Sequence, residues 1–238
     1  MDITILASGS TGNCYHVNDS KTSLLLDAGI PIKAIHVGCG FQLSRVSGCL
    51  VTHYHGDHSK SVKSLLKAGV DVYMPREEAE VCGIPHSHRL HYLMHRDDGY
   101  SSFPVGTFNI LPFRVEHDTP APVGYLIASR STGEKLLYFT DSYYLRYRFT
   151  GLTHIIGEVN YDNESVWDHI EDGSTPAARA KRLFSSHMSL DTFLEFLDAT
   201  DTCRLRQIYI CHMSNDHGNA DKISRAVRQE TGAEVYVC

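Results

Sequence analysis

Apolar runs of this chain repeatedly end on an acidic residue or a histidine, and this pattern constrains the fold more than any other feature. SLLL ends at Asp27, CLVT leads into THYHGDH at 52–58, FRVE ends at His117, LLYFT at Asp141 and QIYIC at His212. Short apolar runs bounded by polar residues are typical of buried β-strands. Because loops at one edge of a rigid sheet commonly carry chemistry, we expect these strand ends to form a site.

Strand-like and helical patterns alternate along the whole chain. No internal repeat, low-complexity tract or Gly/Ser linker interrupts them, which predicts a single domain over 1–238. The strands come in two batches, each followed by helices, so we expect an α/β fold in which two packed sheets are covered by helices. The first predicted helix begins with Ser59 as N-cap and stops at Gly69. Helical patterns cover 59–69, 75–81, 174–184, 189–199 and 219–232.

Composition narrows the class of protein. The 22 Lys and Arg residues and 28 Asp and Glu residues give a formal net charge of −6, which disfavours a protein that coats nucleic acid non-specifically. The opening MDITILASGS lacks the charge and the apolar length of a signal peptide, and no stretch approaches a membrane span. We therefore expect a cytoplasmic protein that does not bind membranes.

The stretch after CLV is rich in potential metal ligands. His53, His55, Asp57 and His58 follow one another closely, and such crowded imidazoles cost desolvation and repel one another once protonated. A shared cation relieves both costs. In an extended turn His53 and His55 point alike and bind one ion, whereas Asp57 and His58 follow the Gly56 bend and face a second ion.

Both ions would still lack ligands, and the other strand ends supply candidates. His117, His212 and a bridging Asp141 would complete the two sites. Two divalent ions roughly 3.5–4 Å apart favour hydrolysis. Imidazole and carboxylate donors suit two Zn²⁺ ions, with Mn²⁺ or Fe²⁺ as alternatives. A solvated His-rich loop is the other interpretation, but it does not explain the residues at the remaining strand ends.

The motif H-x-H-x-D-H at 53–58, with the later strand-end residues, resembles the metallo-β-lactamase superfamily in order and context. The resemblance implies the αββα four-layer fold, with two mixed sheets flanked by helices. It also implies a metal-dependent hydrolase. Asp27 is then expected to orient a ligand histidine. The resemblance assigns His53, His55 and His117 to one ion, Asp57, His58 and His212 to the other, and Asp141 to both.

Two short stretches, SHMSLD around His187 and CHMSND around His212, nearly repeat each other. His212 ends an apolar strand, whereas His187 lies in a polar turn before a helix capped near Ser189. In the phosphodiesterase branch of the superfamily, a histidine in such a turn is thought to protonate the leaving oxygen, oriented by a glutamate. Glu158 matches that glutamate. The resemblance therefore implies Glu158 and His187, together with Asp57 of the metal motif, as catalytic residues. A helix-capping or buried histidine is the alternative for His187.

The substrate class follows from finer resemblances. LASGSTGN (6–13), EHDTPAPVGY (116–125) and the two HMS stretches are similar to YycJ-type small nucleases and to the anti-Pycsar phosphodiesterases, which open cyclic nucleotides. The acidic balance and the lack of a long insertion favour a compact substrate. We therefore expect cyclic mononucleotides (cAMP, cGMP, cCMP, cUMP), hydrolysed to disable immune signalling, and a homodimer in the cytoplasm. A DNA exonuclease and a non-catalytic nucleotide-sequestering protein are the alternatives.

Three further segments are of interest. SYYLRYRF (142–149) interleaves Tyr and Arg, which suits either base stacking with phosphate contact or an amphipathic surface loop or helix. The segment 85–100 holds His86, His88, His91 and His95 and predicts either a lid or subunit contact, or a partly exposed loop. SGSTGN (8–13) predicts a tight turn near the metals, because it lacks the lysine of a phosphate-binding loop.

Overall fold

The computed structural model describes residues 1–97 and 99–238, and its contacts divide the chain into two units. One unit combines Met1–Arg114 with Thr119–Glu134, and the other combines Val115–Asp118 with Lys135–Cys238. The prediction of a single domain over 1–238 stays a prediction. No helix among the described residues is long and apolar enough to cross a membrane.

A six-stranded mixed sheet forms much of the first unit. The first three strands pair antiparallel, and the later strands run parallel in chain order. Leu25, Cys49 and Val51 are buried in the apolar core beneath it. The strands are β1 (Asp2–Ala7), β2 (Cys14–Asn18), β3 (Ser23–Leu26), β4 (Val46–Leu50), β5 (Val72–Met74) and β6 (Leu90–Tyr92).

Short helices and antiparallel strands complete the first unit. The helices are α1 (Ile32–Gly38), α2 (Gly56–Ser59), α3 (Val62–Lys67) and α4 (Arg76–Val81), and a 3₁₀ turn covers Leu43–Arg45. The remaining strands are β7 (His95–Arg96), β8 (Gly99–Tyr100), β9 (Phe103–Val105), β10 (Phe108–Arg114) and β11 (Val123–Ser129). β10 pairs antiparallel with both β9 and β11. Metal-ligand candidates follow β4 directly, so this unit carries the H-x-H-x-D-H motif.

Four parallel strands form the centre of the second unit. Every residue of His154–Glu158 is buried, as expected of a parallel strand covered on both faces. Because parallel strands end at the same edge, the residues that follow them are brought together there. The elements are β12 (Lys135–Phe139), β13 (His154–Glu158), β14 (Gln207–Cys211), β15 (Glu234–Val237), α5 (Asn163–Glu171), α6 (Ala177–Ser186), α7 (Leu190–Asp198) and α8 (Ala220–Thr231).

One local prediction about the helix after the motif is wrong. The chain forms two short helices, α2 and α3, where one helix over 59–69 was expected. Ser59 does not cap either helix, because its Oγ donates a hydrogen bond to the Tyr54 carbonyl oxygen at 2.6 Å. Gly69 does follow the end of α3, with a left-handed φ of 88°, as expected of a helix stop.

Candidate functional site

The loop after β4 gathers three imidazoles and a carboxylate within the first unit. His53 Nε2 lies 3.1 Å from His55 Nδ1, and the ring centroids of His53 and His58 are 4.3 Å apart. Asp57 Oδ2 lies 3.4 Å from His58 Nε2. His53 and His58 are buried, whereas His55 and Asp57 are partly exposed. The sequence motif therefore folds into one cluster of donor atoms within reach of solvent.

Asp27 lies beneath this cluster and is fully buried. Its Oδ2 lies 2.7 Å from His58 Nδ1, and its Oδ1 accepts a hydrogen bond from the Thr52 backbone N–H at 2.8 Å. A carboxylate at Nδ1 fixes the imidazole tautomer and ring angle, which leaves Nε2 as the donor atom for a metal. The contact is the one that an orienting role for Asp27 requires.

Asn13 and Gly29 also support the cluster. Asn13 is the last residue of the segment 8–13, for which a tight turn was predicted, whereas no role was predicted for Gly29. Asn13 Nδ2 lies 3.1 Å from His58 Nε2, and the Asn13 N–H donates to the Asp57 carbonyl oxygen at 2.7 Å. A Cβ on Gly29 would lie 1.6 Å from that same carbonyl oxygen. The turn between Gly9 and Asn13 is tight, as predicted, with the Gly12 N–H donating to the Gly9 carbonyl oxygen at 3.0 Å.

Three strand-end residues have left-handed backbone conformations. The φ angles are 57° at Asp27, 49° at Asp141 and 52° at His212. Such conformations are uncommon outside glycine, and Asn, Asp and His adopt them more readily than other residues. Each costs about 1–3 kcal/mol, and these conformations concentrate at functional sites. The backbone is therefore strained where the side chains leave the strands.

The second unit carries its own cluster of Asp141, Glu158, His187 and His212. Their ligand atoms all lie within 4.8 Å of one another. Glu158 Oε1 lies 2.6 Å from His187 Nδ1 and 3.2 Å from His212 Nδ1. Asp141 Oδ1 lies 3.2 Å from the same His187 nitrogen. The structure thus brings together the residues that the sequence placed at three different strand ends and one turn.

Glu158 and His187 form an ion pair. Burial alone would lower the pKa of His187, but the facing carboxylates of Glu158 and Asp141 raise it to about 10. Burial alone would raise the pKa of Glu158, but His187 and His212 hold it below its ordinary value. The Ser142 N–H donates to Glu158 Oε2 at 2.9 Å and fixes the carboxylate. Both carboxylates therefore favour the protonated form of His187, with its Nδ1–H directed at Glu158.

The two HMS stretches have different surroundings. His212 directly follows β14, and Asn160 Nδ2 donates to its carbonyl oxygen at 2.6 Å. His187 is the C-cap residue of α6 and its side chain is 23% exposed. Ser189 caps α7, as predicted, by accepting from the Thr192 N–H at 3.1 Å. In the same unit, the His117 ring centroid lies 6.4 Å from that of His187.

The two segments with open interpretations have local structures that narrow the choice. Residues 142–149 form neither a helix nor a strand, so the helix alternative is wrong, and Tyr143 and Tyr144 are 41% and 43% exposed. The histidine-rich segment contains β6 and β7, so it is only partly a loop. Within it, the His91 ring stacks on Tyr73 with centroids 4.7 Å apart.

Comparisons with known proteins identify a family and several relatives of this chain. The profile of the metallo-beta-lactamase superfamily matches residues 7–138. Exodeoxyribonuclease YycJ of Bacillus anthracis is 27% identical, over 96% of this chain and 88% of that protein. Exodeoxyribonuclease WalJ of Streptococcus pneumoniae is 29% identical, over 90% of this chain and 82% of that protein.

A solved structure has a similar fold along nearly the full chain. The metallo-beta-lactamase fold protein YhfI from Bacillus subtilis has a TM-score of 0.73 at 14% identity, and the match covers 99% of this chain and 95% of that chain. The predicted fold, with mixed sheets flanked by helices, is confirmed.

Proposed function

Because the chain belongs to the metallo-beta-lactamase superfamily and is a metal-dependent hydrolase of that fold, we propose that it is a dinuclear phosphodiesterase of nucleotides. The observation that carries this proposal is the contact of 2.6 Å between His187 Nδ1 and the buried Glu158 carboxylate. A protonated imidazole held in this way suits donation of a proton to a poor leaving oxygen. When a phosphodiester is hydrolysed, the sugar oxygen that leaves phosphorus must take up such a proton to become a hydroxyl group.

The donor set fits divalent transition metals. We propose that His53, His55 and His117 hold one ion, that Asp57, His58 and His212 hold the other, and that Asp141 binds both. Imidazole nitrogens and carboxylate oxygens together suit Zn²⁺, Mn²⁺ or Fe²⁺. When bound, such ions supply activated water and neutralise the charge of a phosphodiester.

Other residues would deliver the proton and orient the metal ligands. His187 directs Nδ1 at Glu158, so Nε2–H is the proton available to the leaving oxygen. Glu158 is fixed by the Ser142 N–H at 2.9 Å, which limits rotation of the imidazole. Asp27 orients His58 through its Nδ1 at 2.7 Å. Proton delivery and ligand orientation thus rest on two separate buried carboxylates.

Cyclic mononucleotides are the substrates that we propose, and their hydrolysis would disable signalling by these nucleotides. The net charge of −6 supports a compact substrate, because a protein that tracks a nucleic-acid strand usually carries a cationic path. A cyclic phosphodiester also leaves a ribose oxygen attached to the product, and that oxygen needs the proton of His187. A homodimer in the cytoplasm stays a prediction.

DNA is the second candidate substrate. The relatives YycJ and WalJ, 27% and 29% identical to this chain, are both named exodeoxyribonucleases. The same proton donor would serve DNA, because a phosphodiester in DNA also leaves a sugar oxygen. Binding of DNA should weaken steeply with salt, since each phosphate contact releases counterions.

One assay separates the candidates. The metal-loaded protein is incubated with cAMP, cGMP, cCMP and cUMP, and in parallel with linear duplex and single-stranded DNA, with and without a chelator. Chelator-sensitive loss of cyclic nucleotides with intact DNA supports the first proposal. Loss of DNA with intact cyclic nucleotides supports the exonuclease. Equilibrium dialysis that finds bound and unaltered nucleotide would instead support a sequestering protein.

A further inference from the structure

Glu78 is a buried acidic residue of the first unit to which the proposed function gives no role. It lies on α4 and is 0% exposed. Its Oε2 accepts a hydrogen bond from the Tyr54 backbone N–H at 2.9 Å, and its Oε1 accepts one from the Ala121 backbone N–H at 2.6 Å. A buried carboxyl group is costly unless its oxygens find donors. The two backbone N–H groups that donate to Glu78 lie in two separate loops.

The first of these donors lies inside the metal-ligand motif. Tyr54 stands between His53 and His55, and Ser59 Oγ donates to its carbonyl oxygen at 2.6 Å. Both backbone polar groups of Tyr54 are thus held by side chains and not by a helix or a strand. The residue that connects the two histidines is therefore fixed at both of its backbone polar groups.

The second donor belongs to the segment that leads into β11. The Val123 N–H donates to the Thr52 carbonyl oxygen at 3.2 Å, and the Tyr125 hydroxyl donates to the Val51 carbonyl oxygen at 2.6 Å. The start of β11 therefore runs along the residues just before the motif. Glu78 joins this segment to the motif through Ala121 and Tyr54.

We propose that Glu78 is a positioning residue, which fixes the peptide between His53 and His55 and so aims both imidazoles at one divalent ion. This inference rests on the proposed metal site. His53 Nε2 and His55 Nδ1 are already 3.1 Å apart, and a metal site requires donor distances within a few tenths of an ångström. A change in the backbone of Tyr54 would spread these two donors.

Metal affinity tests the proposal. Glu78→Gln keeps the shape of the side chain but turns an amide NH₂ toward a backbone N–H, so one hydrogen bond is lost. We expect the affinity for Zn²⁺, measured by competition with a chromophoric chelator, to fall about 10–100-fold, as is typical when a group that supports a ligand is removed. Glu80→Gln, on the exposed face of the same helix, is the matched control and should bind Zn²⁺ like the natural protein.

A second readout requires no metal. Hydrogen exchange of the Tyr54 amide in the metal-free protein should be faster in Glu78→Gln and Glu78→Asp than in the natural protein and Glu80→Gln. Glu78→Asp keeps the charge but shortens the reach, so its Zn²⁺ affinity should be intermediate. It also serves if Glu78→Gln does not fold.

Unchanged Zn²⁺ affinity in a folded Glu78 variant would overturn the proposal, as would unchanged Tyr54 exchange. Neither readout uses a substrate, so both can succeed even if the protein hydrolyses no nucleotide. Conversely, a natural protein that binds no Zn²⁺ would contradict the proposed metal site itself.

Discussion

The two nitrogen atoms of His187 have separate tasks in the proposed reaction. Nδ1 lies 2.6 Å from Glu158 Oε1 and 3.2 Å from Asp141 Oδ1. These carboxylates raise the pKa of His187 to about 10, against the effect of burial. The side chain is 23% exposed, so the imidazolium remains accessible. In the proposed reaction His187 gives up a proton from Nε2, and the two carboxylates favour the protonated form that this step needs.

Removal of the Glu158 charge should move the pH dependence of the reaction. In Glu158→Gln the pKa of His187 is lowered, because the neighbouring negative charge is lost. His187 then loses its proton at a lower pH, so the alkaline limb of kcat against pH should shift to lower pH. Glu164→Gln, an exposed glutamate on α5, is the control. An unshifted alkaline limb in Glu158→Gln would contradict the assigned role.

Gly29 is a second residue at which a single added carbon atom should change the stability of the fold. A Cβ at Gly29 would lie 1.6 Å from the Asp57 carbonyl oxygen, so Gly29→Ala must displace the loop that carries Asp57 and His58. We expect the free energy of unfolding, measured in urea, to fall by about 3 kcal/mol or more. Gly56→Ala, where nothing lies within 4 Å of the added carbon, should change it by less than about 1 kcal/mol. Equal losses would contradict the close-approach explanation.

Residue type and spacing predicted most of the residues whose side chains form the two clusters of donor groups. His53, His55 and Asp141 have donor groups that are recognisable in the sequence and follow apolar runs. Glu78 could not be predicted in the same way, because it stands beside Glu77 and near Glu80 in one short segment. Only the orientation of α4 about its own axis in the structure shows which of the three carboxyl groups is buried.

At the scale of secondary structure, parallel pairing explains why the second cluster forms. β12, β13 and β14 are neighbours and run parallel, so Asp141, Glu158 and His212 reach one edge of the sheet. The apolar runs of these strands were easy to recognise in the sequence because both faces of each strand are buried.

The sequence did not predict β2, α1 or α5. β2 (CYHVN) is short and combines polar and apolar residues, and α5 (NESVWDHIE) is largely polar, so neither contains a continuous apolar run.

The turn between β2 and β3 is fixed by one carboxylate. Burial alone would raise the pKa of Asp19, but hydrogen bonds from Ser129, Thr107 and the amides of Thr22 and Lys21 lower it to about 2. Since the ordinary value is 3.8, the folded state gains stability above that pH. This gain is lost as the pH falls from about 4 towards 2.

Asp19→Asn should remove this contribution. We expect the variant to be less stable than the natural protein by about 1–2 kcal/mol at pH 7. The difference in the free energy of unfolding should shrink as the pH is lowered from about 4 towards 2. Asp2→Asn, an exposed position in β1, is the control. A difference that stays constant over this pH range would contradict the hydrogen-bonding explanation.

In the complete protein, bound metal should both stabilise the folded state and be required for turnover. Because ions that bind only the folded state stabilise it, metal loading should raise Tm and a chelator should lower it. The natural protein should contain two divalent ions per chain by elemental analysis. Asp141→Ala should contain fewer and lose turnover, whereas Asp172→Ala, at an exposed position after α5, should change neither. An Asp141→Ala variant with full metal content and full turnover would refute the bridging role.

Proton donation by His187 can be tested by comparing two leaving groups in the variant His187→Ala. Cyclic AMP leaves a ribose oxygen that needs a proton, whereas a p-nitrophenyl phosphodiester leaves an anion that is stable without one. We predict that kcat on cyclic AMP falls about 10²–10⁴-fold, that hydrolysis of the p-nitrophenyl ester is largely retained, and that metal content is unchanged. His88→Ala, at an exposed histidine, should match the natural protein on both substrates. Full activity of His187→Ala on cyclic AMP, or equal losses on both substrates, would contradict proton donation by His187.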